Sequence, residues 1–127
     1  MSMRFMKDAA HGDLVIKLYD NGAELSSAGE ALTEIKANDT DAAKEKHVPV
    51  VSVDGSHVHV AVGSVEHPMT EDHYITCIML ETEKTFQIAY LTPTDKPEAD
   101  FEIAADDKPR TAYEYCNKHG LWKADIA

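Results

Sequence analysis

Apolar and polar positions along this chain alternate over short runs, and sustained helical spacing is almost missing. Such a period of two is the mark of half-buried strands. Leu14-Val-Ile-Lys-Leu-Tyr19 reads as a strand closed by Asp20-Asn-Gly22, a tight-turn signal. Ser26-Ser-Ala-Gly29 makes a second break, and Glu30–Ile35 reads as a further short strand. The polar stretch from Lys36 to Lys44 reads as a linker. Beyond it, Val48–Val53 meets the turn Asp54-Gly55 and returns as His57–Val62. Longer strands are predicted over about 73–81 and about 85–92, then over Asp100–Ala104 and Thr111–Tyr115. Strands at this spacing, with turn chemistry between them, predict an all-β chain: an antiparallel β-sandwich over 37–127 with a small N-terminal β segment over 1–36. A segment as small as 1–36 seldom folds alone without a metal or disulfides, and this one has no Cys. Leu14, Ile16, Leu18 and Leu32 are therefore expected to find cover on the sandwich or on a partner subunit.

Composition narrows the function classes. At 127 residues and 43% hydrophobic content the chain can bury a real core. A formal charge of −11 argues against nucleic acid and against an anionic membrane surface, both of which need a basic face. Met1–Asp8 contains no apolar stretch of signal-peptide length and no segment is long enough to span a bilayer, so a cytoplasmic location is expected. Two cysteines do not make a disulfide framework. Cys77 lies inside the apolar run Tyr74–Leu80 and reads as a small buried hydrophobe.

Cys116 and His119 are different. They sit in Tyr113-Glu-Tyr-Cys-Asn-Lys-His-Gly120, where a soft thiolate and an imidazole follow a strand-like stretch. His47, His67 and His73 occupy loop-like settings beside Pro49 and Pro68. Four imidazoles and one thiolate exceed a closed tetrahedral zinc site and suit a five-coordinate redox metal such as iron, with one position open. A zinc site built from three of these groups, in an interaction module, is a competing reading. His57 and His59 alternate with Val58, Val60 and Val62, so they read as a solvated strand face, and His11 lies in a turn without an evident partner.

The motifs Glu45-Lys-His-Val-Pro-Val50, Val62-Gly-Ser-Val-Glu-His-Pro-Met69, His73-Tyr-Ile75 and Tyr113–Lys123 resemble the superoxide reductases, the desulfoferrodoxin and neelaredoxin family. The resemblance covers residues 45–123 and implies an immunoglobulin-like sandwich, usually a homodimer, with one mononuclear iron per chain. It implies equatorial imidazoles from His47, His67, His73 and His119 and an axial thiolate from Cys116. The implied reaction is one-electron reduction of superoxide to hydrogen peroxide without release of dioxygen. An external one-electron carrier such as rubredoxin would restore the iron. Lys46 is implied to attract the anion, and Glu45 to occupy the remaining position on ferric iron.

Gly22-Ala-Glu-Leu25 and Gly29-Glu30 resemble the desulforedoxin-like domain that carries a four-cysteine iron centre in two-iron members. The positions where those cysteines would fall read Asp8, His11, Ser27 and Ala28, so no second iron centre is expected. Cys77 stands where the family often has Trp. The alternative from another class is an iron electron-transfer protein with no reaction at the metal.

Overall fold

The computed structural model describes residues 3–126, and the chain divides into two compact units, Met1–Lys36 and Ala37–Ala127. All strand pairs are antiparallel. Among the described residues no helix is long and apolar enough to cross a membrane.

The first unit holds β1 (Arg4–Lys7), β2 (Leu14–Lys17), β3 (Ser26–Ser27), β4 (Glu30–Ala31) and β5 (Thr33–Ile35). A three-stranded sheet runs β2-β1-β5, and β3-β4 form a separate hairpin. Its turn places Ala28 and Gly29 at φ of 51° and 83°, the left-handed pair that a two-residue hairpin needs. The sequence reading missed β1, whose Phe5 and Met6 are the buried apolar side chains among the described residues of this unit. It also ran Glu30–Ile35 together. The N–H of Leu32 turns instead to the carbonyl of Leu25 and parts β4 from β5. Leu14, Ile16 and Leu32 are half-buried, whereas Leu18 lies beyond the end of β2 and is 70% exposed.

The Asp8 carboxylate is 4% exposed and collects four hydrogen bonds. Its Oδ1 accepts the backbone N–H of Ala10 (2.9 Å) and of His11 (3.2 Å). Its Oδ2 accepts from His11 Nδ1 (2.8 Å) and Ser27 Oγ (3.0 Å). The imidazole of His11 and these bonds hold the Asp8 carboxyl down at about 2, and the carboxylate in turn raises the His11 pKa. Three of the four positions expected to lack thiolates are thus tied together by one carboxylate.

The second unit holds α1 (Lys44–His47), β6 (Pro49–Asp54), β7 (His57–Val62), β8 (Ile75–Thr82), β9 (Phe86–Tyr90), β10 (Glu98–Glu102), β11 (Pro109–Cys116) and β12 (Gly120–Asp125). Its seven strands form a three-stranded sheet, β10-β7-β6, and a four-stranded sheet, β12-β11-β8-β9. This is the division of an immunoglobulin-like sandwich. Alternation decides which face is inside. Val58, Val60 and Val62 point inward with Phe101 and Ala99, and Ile78, Leu80 and Ala112 meet them in one core. Each fully buried valine contributes about 1.5–3 kcal/mol through the apolar surface it removes from water. His57 and His59 point outward and bond Asp100 and Glu102, as the alternation predicts.

Two departures bear on the site. The polar segment read as a linker is fastened to β12: Asn38 accepts from the Lys123 N–H (2.8 Å) and donates to the Lys123 carbonyl (3.2 Å). Composition marks such a segment as polar but is blind to a side chain that mimics a strand partner. The stretch Gly120–Asp125 is also a strand, which the sequence reading left unassigned; it pairs with β11 in register from Cys116↔Gly120 to Thr111↔Asp125.

Gly63 leaves room for α1. A Cβ there would lie 2.7 Å from the Glu45 carbonyl oxygen and 3.0 Å from that of Val48, both backbone atoms that cannot swing aside. Gly63→Ala should therefore destabilise the second unit by about 1–3 kcal/mol, the usual cost of overpacking, read as a lower midpoint in urea denaturation. Asp8→Asn should abolish the hydrogen-exchange protection of the Ala10 and His11 amides. In the wild type that protection should be strongest between the ordinary Asp and His values, about 4 and 6.5. It falls on acidification towards about 2, where the depressed Asp8 carboxyl gains its proton, and falls again at high pH, as His11 loses its proton above its raised value.

Candidate metal centre

One end of the sandwich collects side chains from four separate places. His47 ends α1, His67 follows β7, His73 precedes β8, and Cys116 and His119 flank the turn between β11 and β12. One donor atom from each lies within 4.8 Å of all the others. These are the five residues that the sequence reading singled out, brought together across as many as 72 positions of chain.

Local bonds aim each ring. His47 Nδ1 donates to the Ala43 carbonyl (2.7 Å) and His67 Nδ1 to the Pro68 carbonyl (2.6 Å), which leaves each Nε2 as a bare acceptor turned inward. Those two Nε2 atoms stand 3.2 Å apart. His119 presents Nδ1, 3.1 Å from His47 Nε2. The Nε2 of His73 is buried and has no hydrogen-bond partner. The rings meet edge to face with centroids 4.7–5.0 Å apart. Cys116 Sγ lies 3.5 Å from His67 Nε2 and accepts the backbone N–H of His119 at 3.4 Å.

Burial favours the neutral form of His47, His67 and His73. Loss of hydration lowers the pKa of His47 and His73 and takes His67 down to about 4. It also pushes the Cys116 thiol up, against the backbone N–H groups of His119 and Lys118 that favour the thiolate. Neutral rings with lone pairs facing one another repel, and a buried unpaired nitrogen is costly. A cation at their common focus removes both costs and holds the sulfur deprotonated. The donor set therefore fits a metal ion, and mixed nitrogen and thiolate donors suit iron.

Around this focus, Trp122 stacks on His47 (centroids 4.9 Å apart, 27° between planes) and donates its Nε1–H to the His119 carbonyl at 3.0 Å. The loop after Cys116 is fastened to the His73 segment. Asn117 Oδ1 accepts the Tyr74 N–H (2.9 Å), and Asn117 Nδ2 donates to the Asp72 carbonyl (3.1 Å). Glu45 and Lys46 are exposed on α1 beside His47. The Glu45 backbone carbonyl accepts the N–H of Val65 at 2.9 Å, which anchors α1 to the loop after β7. Cys77 is buried as expected, but it pairs with Tyr115 on β11 and is not among the converging donors.

The sequence reading missed Glu114. It is wholly buried in phase with Ala112 and Cys116, and neither carboxyl oxygen has a hydrogen-bond partner. Desolvation raises its pKa far above the carboxylate range, which favours the protonated form. Alternation back from Cys116 was the signal that could have found it, since 112, 114 and 116 share a face.

Comparison with known proteins agrees with this geometry. The family model described as Desulfoferrodoxin matches residues 39–125. The desulfoferrodoxin of Clostridium acetobutylicum is 47% identical over 115 residues, covering 91% of this chain and 90% of that protein. The desulfoferrodoxin of Nitratidesulfovibrio vulgaris is 44% identical over 114 residues, covering 90% and 89%. The crystal structure of the superoxide reductase from Treponema pallidum superposes with a TM-score of 0.83 at 39% identity, covering 98% of this chain and all of that one. The chain belongs to the desulfoferrodoxin family, whose mononuclear iron the His/Cys cluster at the end of its sandwich suits.

Proposed function

We propose that this protein is a superoxide reductase, with one iron held by His47, His67, His73, His119 and Cys116. The observation that carries the reading is the convergence of four imidazoles and one thiol within 4.8 Å. Five donors exceed the four of a structural zinc site. The reaction adds one electron and two protons to superoxide and yields hydrogen peroxide, with the O–O bond kept. Bound iron supplies that electron, and an external one-electron carrier such as rubredoxin replaces it. A homodimer working in the cytoplasm is the form we propose.

The protein's own groups have separable tasks. The carbonyls of Ala43 and Pro68 fix the tautomers of His47 and His67, so each Nε2 is held as a donor to metal before any metal arrives. The His119 N–H bonds the Cys116 sulfur and moderates how much electron density the thiolate gives. Lys46, exposed beside His47, offsets part of the protein's negative field for an incoming anion. Glu45 supplies a hard carboxylate next to the site, suited to the oxidised metal.

A stoichiometric pulse of superoxide given to the reduced, iron-loaded protein should produce a thiolate-to-ferric absorption band and peroxide without matching dioxygen. Cys116→Ser should lack the band; a wild type without it, or holding zinc after growth in iron-rich medium, would refute the assignment. Lys46→Ala should slow the bimolecular step with superoxide by about two- to tenfold at low ionic strength and flatten its salt dependence. Glu45→Ala should leave that step nearly unchanged but shift the visible spectrum of the oxidised protein. An identical spectrum would remove the carboxylate from this role.

A further inference from the structure

Lys118 lies between Cys116 and His119, is exposed, and makes no salt bridge among the described residues. Of the other cations of the second unit, Lys84 pairs with Asp106, Arg110 with Glu83 and Lys123 with Asp125, whereas Lys44, Lys96 and Lys108 share its lack of a salt bridge among the described residues. Lys46 matches Lys118 in this respect, and each directly precedes one of the converging histidines. We propose that Lys118 is a second steering residue, which with Lys46 makes a two-lysine collar that concentrates small anions at the His/Cys cluster. The inference deepens the superoxide reductase reading and rests on it for the identity of the anion.

Three observations support the placement. The Asn117 side chain and backbone hold this loop to residues 72–74 through three hydrogen bonds, so the backbone that carries Lys118 is fixed relative to His73. Lys118 directly precedes His119, whose Nδ1 lies 3.1 Å from His47 Nε2, so its charge belongs to the segment that enters the cluster. The surroundings make a further local cation matter. The chain carries −11 overall, Asp72 faces Lys118, and Glu45 stands beside Lys46, so each lysine is partly offset by a neighbouring carboxylate. The contributions of the two lysines add, so the second raises the local concentration of an anion above what Lys46 alone gives. A unit charge about 8 Å away in water is worth about 0.5 kcal/mol, or two- to threefold in the local concentration of an anion.

The test uses the full-length iron-loaded protein, with iron content and visible spectrum checked for each variant. Two quantities are measured against ionic strength: the second-order rate of the reduced protein with superoxide, and the affinity of the oxidised protein for azide. Lys118→Gln should lower both by about two- to threefold at low salt. It should also flatten both salt dependences, so that the curves meet the wild type at high salt. Lys118→Glu should lower both further, and Lys118→Arg should restore them, which a merely structural role for the side chain would not produce. A Lys118→Gln protein with wild-type rate, azide affinity and salt slopes would overturn the proposal. If the wild type does not consume superoxide, the superoxide reading falls, and the azide series alone decides whether Lys118 steers anions.

Discussion

The constraint on which the second unit depends is that four nitrogen lone pairs and a sulfur are held within 4.8 Å of one another. Such an arrangement is unfavourable without a cation, because it desolvates acceptors that have no donors to meet. A fold that maintains it must supply the energy elsewhere. The valines of β7 and the apolar face of β8 do so by packing the two sheets together, and they set the distance across which α1 and the β11–β12 turn reach each other. The rings are then aimed by short local bonds from carbonyls one and four residues away, so the site needs little adjustment to receive its ion. Trp122 and Asn117 brace the same groups from the outside.

Charge follows a different logic from packing. The overall field of so acidic a chain repels anions, and only a local group of positive charge can act against it. Lys46 and Lys118 carry positive charge on the segments that deliver His47 and His119, the helix α1 and the turn between β11 and β12. Glu114 is the opposite case. Its carboxyl sits inside the core without partners, favoured in its neutral form by desolvation, two residues from Cys116 on the same face.

The N-terminal unit shows how a small β segment coheres without thiolates. Asp8 gathers two backbone amides, an imidazole and a hydroxyl around one buried carboxylate. The amides come from residues two and three positions ahead, so the carboxylate closes a tight local turn. Ser27 then ties that turn to the β3-β4 hairpin. Lys17 and Arg4 do similar work at Asp20, where opposite charges replace apolar area that so short a segment cannot supply.

What the sequence determined by itself was the period of the strands and the identity of the donors. Alternation placed Val58, Val60 and Val62 inside and His57 and His59 outside, because successive side chains on a strand must point to opposite faces. The motifs around His47, His67, His73 and Cys116–His119 carried the chemistry, because donor type and loop setting are properties of the residues themselves. Strands without clean alternation, such as Arg4–Lys7 and Gly120–Asp125, were invisible, since their state depends on partners far along the chain. The same holds for Asn38, whose polar side chain reads as a loop until β12 lies beside it. Only the tertiary structure decided which ring nitrogen of each histidine turns inward, that Cys77 stands apart from the cluster, and that Glu114 loses its water. Each of these depends on which backbone group or core surface comes within about 3 Å of a side chain, and that proximity exists only once distant segments have packed.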